Sequence, residues 1–316
     1  MDVGVVAMEL GPAEMVMTAA VARRYYLAGE SKVEIAAALG ISRFKVARLL
    51  DLAREIGLVR IEIASHGALD TALSAALQEA YDLRHCVVVL STGTPDAAPQ
   101  VGTAAAELVA EIVTKDDVLG LPWARTVADV ISALPALPRI PVVQLSGSLV
   151  VPDQTSPVDL VRRASRLAGG ESHMFYAPML LDDAESTEAL MRQPSVAEAM
   201  DQIDRITLAI VGIGAWAPRV STIYDACSPA DRSAVAAAGV VGEVAGVFFD
   251  AAGRPVENVL GERLVTVQAE QLRGIPEVIG VAYGEAKAAA VRASVLNGLV
   301  DSLVVNDTIA RFMLEG

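Results

Sequence analysis

The chain has 316 residues, a length that usually holds two domains, and it is 53% hydrophobic and 20% charged, a globular composition. No run approaches the roughly 20 uninterrupted apolar residues of a membrane span, and the start, "MDVGVVAMELGPAEM", has no basic n-region and carries Asp2 and Glu9, which disfavours secretion. The net charge of −14 argues against nucleic acid until it is located: Lys and Arg against Asp and Glu stand at 8 to 8 over residues 1–65 and 17 to 31 over residues 66–316, so all the acidity lies in the second part.

Two cysteines, Cys86 and Cys227, make no disulfide framework and read as reduced thiols of a cytoplasmic protein. His66, His85 and His173 share no metal-ligand spacing, and neither metal nor cofactor is expected.

In chain order, "AEMVMTAAVARRYYLAGE" (13–30) reads as an amphipathic helix. The next run, "SKVEIAAALGISRFKVARLLDLAREIGLVRIEI" (31–63), predicts two helices joined by a tight turn. Ser31 caps the first, with Glu34 in the capping-box position. Gly40 suits the positive φ of a helix end. Ser42 caps the second helix, whose apolar stripe is Val46, Leu49, Leu50 and Ala53. Ala36, Gly40 and Val46 supply the small residue, turn and core anchor of a helix-turn-helix, with Ile41 buried in the turn. Ser42, Arg43, Phe44, Lys45 and Arg48 are the expected DNA-contacting residues; the last four face outward, where Arg and Lys reach guanine edges or phosphates. Phe44 either meets a thymine methyl or packs. Gly57 ends the helix, and "LVRIEI" alternates like a wing strand. A plain three-helix bundle with solvated cations is the alternative, but both caps, the turn spacing and the basic cluster agree on DNA.

After a hinge at "SHGALD" (65–70) and a helix through Tyr81, apolar runs alternate with helical patterns. Strands are expected at 86–90, 117–121, 140–147, 206–214, 244–250, 277–284 and 302–306. Helices are expected at 99–113, 124–133, 156–168, 194–203, 228–238 and 285–297. Continuous apolar strands between helices mean a parallel sheet covered on both faces. Ligands of such sheets sit beyond the carboxyl ends of the strands. The residues there are Trp123, Arg125 and Thr126 in "PWART", Ser146, Gly147 and Ser148 in "SGSL", the "GIG" of 212–214, and "YGEAK" with Lys287. "GIG" is either a tight turn or a ligand loop. Lys287 is one of only four lysines, and it stands in the first turn of a helix. A cation there opposes the helix dipole by ~0.3–1 kcal/mol, so a bound anion or a neighbouring carboxylate must offset it. Glu243 is a further ligand-facing candidate, whereas Asp250 reads as a turn residue.

Together these segments resemble the SorC family of sugar-responsive bacterial transcription regulators. The resemblance runs through "IAAALGISRFKVARLLDLAREIGLVRIEI", "VLGLPWARTVADVI", "VVQLSGSL", "GVVGEVAGVFFDAAGRPV" and "IPEVIGVAYGEAKAAAVRASVLNGLVDSLVVND". It implies a winged helix-turn-helix DNA-binding domain over 1–64. Over 65–316 it implies a Rossmann-like α/β effector and oligomerisation domain, similar in fold to ribose-5-phosphate isomerase and glucosamine-6-phosphate deaminase. It further implies operator DNA as partner, repression as the mode, a sugar, polyol or phosphosugar as effector, and assembly into dimers or tetramers. Lys287 matches the family's effector lysine, and "PWART" and "SGS" match loops around the same pocket. Ala124 stands where the family often has Gly, Glu243 where many members have Asp, and Asn306 where Thr is usual. The rival reading is a sugar-phosphate isomerase or deaminase with an accessory domain, in which Lys287 and Glu243 would do acid–base work.

Overall fold

The computed structural model describes residues 11–60, 68–91, 98–149 and 157–315. The chain divides into two compact units, Met1–Ala64 and Ser65–Gly316.

In the first unit, α1 (Pro12–Ala22) runs into a π-helical turn at Arg23–Leu27 and is followed by α2 (Lys32–Leu39) and α3 (Arg43–Glu55). The Ser31 hydroxyl accepts from the Glu34 amide while the Glu34 carboxylate accepts from the Ser31 amide, so both donors at the start of α2 are satisfied. Gly40 ends α2 at φ 65°, and its amide donates back to Ala36. Ser42 then caps α3 by accepting from the Lys45 amide at 3.1 Å. Val21, Ile35, Ala36, Val46, Leu49 and Leu50 form the core, with α1 packed across α3. Ile41 is half-buried against this core rather than fully buried. Residues 58–60 are irregular, and the rest of the expected wing, 61–63, lies outside the described residues. Ile35 is fully buried in this small core. Ile35→Ala is therefore expected to cost the unit ~2–5 kcal/mol, visible as an early transition in urea denaturation followed through tyrosine fluorescence.

The second unit contains α4 (Thr71–Tyr81), β1 (Cys86–Val89), α5 (Ala98–Ile112), β2 (Leu119–Leu121), α6 (Arg125–Ala133), β3 (Val142–Gln144), α7 (Pro157–Ala168) and β4 (Ser172–His173). It continues with α8 (Ala184–Met191), α9 (Pro194–Met200), β5 (Leu208–Ala215), α10 (Thr222–Ala226), α11 (Pro229–Ala237), β6 (Gly242–Val244) and β7 (Val247–Phe249). Last come α12 (Ala269–Gly274), β8 (Glu277–Ala282), α13 (Ala288–Leu296), β9 (Ser302–Asn306) and α14 (Asp307–Glu315). The strands lie in the order β1-β9-β8-β5-β2-β3-β4, all neighbours parallel. Both faces are buried, and alternate residues serve opposite cores: Leu208 and Ile210 point into one, Ala209 and Val211 into the other. Strand order reverses between β2 and β5. From β2 the chain lays β3 and β4 to one side, then returns to lay β5, β8 and β9 on the other.

Three sequence expectations are corrected. The single strand expected over 244–250 is instead the hairpin β6–β7, antiparallel to β5, turning at Ala245 (φ 51°) and Gly246 (φ 87°). Positive φ at both central residues is the geometry that lets a two-residue turn follow the twist of its strands. "GIG" is neither a turn nor a loop; Gly212, Ile213 and Gly214 continue β5 to Ala215. The expected helix at 285–297 begins as a 3-10 turn, Glu285–Lys287, which makes Lys287 the N-cap of α13.

Candidate effector cavity and DNA-binding face

A cavity of about 320 Å³ opens at the strand reversal, beyond the carboxyl ends of β2, β5 and β8. Its wall brings together Trp123, Arg125, Thr126, Glu243 and Lys287 from separate parts of the sequence. Trp123 and Thr126 are buried, at the end of β2 and the start of α6. The N-cap of α6 is Ala124, which offers no side-chain cap, so the first amides of α6 are left for another acceptor. Gly212 and Gly214 form the floor. A Cβ at Gly212 would stand 2.6 Å from Thr126 Oγ1 and 2.7 Å from Ala124 Cβ. A Cβ at Gly214 would collide with Glu243 Oε1.

Ser146, Gly147 and Ser148 do not line this cavity; among the described residues of their loop, Leu149 reaches it. The buried Ser146 hydroxyl instead accepts from the Trp123 amide at 3.0 Å, which holds the turn that carries Trp123. Gly147 fits against the backbone of Pro178, where a Cβ would lie 2.6 Å from the carbonyl oxygen.

Lys287 is half-buried, with Nζ 5.7 Å from the centroid of the Tyr283 ring. Burial pulls its ammonium down to about 8, against the opposing field of Glu243 and with the help of Arg125. Glu243 is buried, and burial raises its carboxyl above the ordinary value. Both of its oxygens have protein donors. The Ser221 hydroxyl donates to Oε1 at 3.2 Å, and the Gly246 amide donates to Oε2 at 3.2 Å. Arg125 donates from Nη2 to the Arg219 carbonyl at 2.8 Å. Asp250 is the turn residue the sequence suggests, accepting from the Ala252 and Arg254 amides and ion-paired to Arg254 at 2.7 Å.

In the first unit, Arg43, Phe44, Lys45 and Arg48 are all exposed along the N-terminal half of α3. Phe44 is 85% exposed, so it does not serve the core of its own unit. The Ser42 hydroxyl is taken by its capping bond.

A family model described as "Putative sugar-binding domain" matches residues 66–315. A transcriptional regulator LsrR of Klebsiella pneumoniae subsp. pneumoniae is 31% identical over 312 residues, covering 96% of this chain and 94% of that protein. The crystal structure of the full-length sorbitol operon regulator SorC from Klebsiella pneumoniae superimposes with a TM-score of 0.74 at 24% identity, covering 95% of this chain and 98% of that one. The chain belongs to the SorC family of sugar-binding transcription regulators. A second relative, the sorbitol operon regulator of Klebsiella pneumoniae, is 27% identical and covers 93% of this chain and 96% of its own.

This SorC-family regulator also has cavity residues that the sequence reading did not single out: Arg219, Ser221, Thr222 and Tyr283. The first three arrive on the segment after β5, whose approach depends on the antiparallel pairing of β5 with β6. No local pattern announces that pairing. The cavity floor makes Gly212 a sensitive position. Gly212→Ala is expected to push the start of α6 away from β5 and to abolish any sugar-induced rise in melting temperature. The protein should stay folded, as judged by circular dichroism. Among the described residues, no helix is long and apolar enough to cross a membrane.

Proposed function

We propose that this SorC-family chain binds operator DNA through α3 and releases or retains it according to a sugar, polyol or phosphosugar held beyond β2, β5 and β8. The carrying observation is the cavity itself. It lies at the strand reversal, has monosaccharide scale at the low end of ligand-pocket volumes of roughly 300–1,000 Å³, and gathers Trp123, Arg125, Thr126 and Lys287 on its wall. Trp123 supplies an apolar face for a sugar ring. Lys287, Arg125 and the uncapped amides of α6 supply donors for hydroxyl or phosphate oxygens. Regulation follows by linkage. An effector that binds one arrangement of the dimer or tetramer better than the other shifts the fraction competent for DNA.

The isomerase or deaminase alternative has less support. Glu243 is held from two sides, by the Ser221 hydroxyl and the Gly246 amide, and nothing in this setting singles it out as a base. The named relatives are transcriptional regulators. The test is a thermal-shift screen of sugars, polyols and their phosphates, with each hit added to a protein–DNA complex. A hit that raises the melting temperature by mass action and changes DNA affinity supports the reading. Catalytic turnover of ribose 5-phosphate or glucosamine 6-phosphate would replace it with the enzyme reading.

A further inference from the structure

A second, larger hollow of about 870 Å³ lies between α8, the β6–β7 hairpin, the 255–262 loop and the start of α12. Its floor is apolar, with Val247, Phe248 and Leu264. Its rim is acidic: Glu185 and Glu188 on α8, Glu257 and Glu262 on the loop, and Glu270 on α12. No lysine or arginine stands among its described lining residues. All five carboxylates are exposed, and among the described residues only Glu188 of the five is ion-paired, to Arg192 at 3.1 Å. Like charges gathered round an apolar floor repel one another. A partner that brings cations together with an apolar or aromatic body relieves that repulsion and covers the floor.

The same chain carries such a body. α7 exposes Arg162, Arg163 and Arg166 on one face, the densest run of cations in a unit where acids outnumber bases 31 to 17. Beside them stands Tyr176, 74% exposed, whose hydroxyl accepts from Arg162 Nη2 at 2.9 Å. Arg162 also pairs with Asp159 at 3.1 Å, and Arg163 donates to the Ser132 carbonyl at 3.0 Å, so both guanidinium heads are held in place. Tyrosine and arginine, exposed and already oriented, are the side chains that anchor protein interfaces. Tyr176 does no packing work inside its own unit.

We propose that the α7–Tyr176 patch of one copy docks in the acidic groove of a second copy, Tyr176 over the apolar floor and the arginines against the glutamate rim. Used reciprocally about a two-fold axis, the two surfaces meet twice and close a dimer. Gly246, in the β6–β7 turn, borders both this groove and the effector cavity. A docked copy and a bound effector therefore act on one turn, which couples assembly to ligand. That coupling rests on the cavity being the effector site; the docking itself does not.

The test uses full-length protein and no effector. Glu185→Lys with Glu262→Lys reverses the rim, and Arg163→Glu with Arg166→Glu reverses the patch. All four residues are exposed, so both variants should keep the wild-type circular dichroism. In sedimentation velocity over a dilution series, each variant alone is expected to dissociate at about tenfold higher concentration than wild type, because like charges then face each other at both contacts. An equimolar mixture of the two variants should recover the wild-type behaviour. In the mixed dimer a reversed rim meets a reversed patch, and a native rim meets a native patch. Dissociation of the wild type should also increase with salt, which screens exposed ion pairs. Wild-type sedimentation of either variant alone, or a mixture that stays dissociated, overturns the docking, as does a wild type that is monomeric throughout. If mixing restores assembly while no sugar, polyol or phosphate shifts the melting temperature, the effector reading fails and the docking stands.

Discussion

Replacing Arg43, Lys45 and Arg48 together by alanine is expected to lower DNA affinity on the order of 100-fold, from three side chains at ~1 kcal/mol each. It should also flatten the dependence of log K on log salt by about 0.9 for each phosphate that is no longer neutralised. All three side chains are exposed on the first two turns of α3, so their removal should leave the melting temperature nearly unchanged. The geometry behind this is local and well determined. Ser42 fixes the start of α3, Gly40 lets the chain turn at φ 65°, and Val46, Leu49 and Leu50 hold the opposite face in the core. Exposed Phe44 gives a second readout. Phe44→Ala should relax preference at one base position while leaving the salt slope intact, because an apolar side chain releases no counterion. The measurement is fluorescence anisotropy across a salt series, on a duplex selected by the wild-type protein from a random pool. An unaltered slope in the triple variant would remove α3 as the reading helix. The acidic excess of residues 66–316 repels DNA, so the basic helix works against the background of its own chain.

What was legible in the sequence was what is specified locally. Capping is such a feature: Ser31 with Glu34, Gly40 and Ser42 stand within a few residues of the groups they satisfy, and the helices begin and end where those residues say. The parallel sheet was legible because strands buried on both faces read as unbroken apolar runs. The loops after β2 and β8 were found by the rule that ligands gather at strand ends. The same rule misplaced Ser146, Gly147 and Ser148. β3 lies one strand beyond the reversal between β2 and β5, roughly 4.8 Å further along the sheet, and Ser146 serves the cavity only by holding Trp123. The β6–β7 hairpin was hidden because its turn puts Ala245, not a glycine or asparagine, at positive φ. The cavity-lining segment after β5 was hidden for a different reason. Arg219 and Ser221 acquire meaning only when β6 folds back on β5 and brings Glu243 beneath them, and that pairing joins residues about 30 apart.

Lys287→Ala is expected to remove the effector-induced rise in melting temperature altogether while raising the melting temperature of the free protein. Both effects have one cause. Folding draws the Lys287 ammonium partly out of water at the start of α13, and burial depresses its pKa from 10.5 to about 8. A group whose folded pKa lies below its unfolded one destabilises the fold while it is charged. That penalty is full below about pH 8 and fades as pH rises from there toward 10.5. An anion in the cavity offsets it by favouring the charged form. For a phosphorylated ligand, affinity should therefore be greatest between the second phosphate pKa of about 6 and the Lys287 value of about 8. Above that window it should fall as Lys287 loses its proton, by up to tenfold per pH unit. Lys287→Arg keeps the charge at all these pH values and should abolish the alkaline fall even where its larger planar head weakens binding. A ligand without phosphate should lose the acid limb of the profile and keep the alkaline one. Isothermal titration across this pH range distinguishes these cases. A thermal shift that survives in Lys287→Ala would take the lysine out of the site.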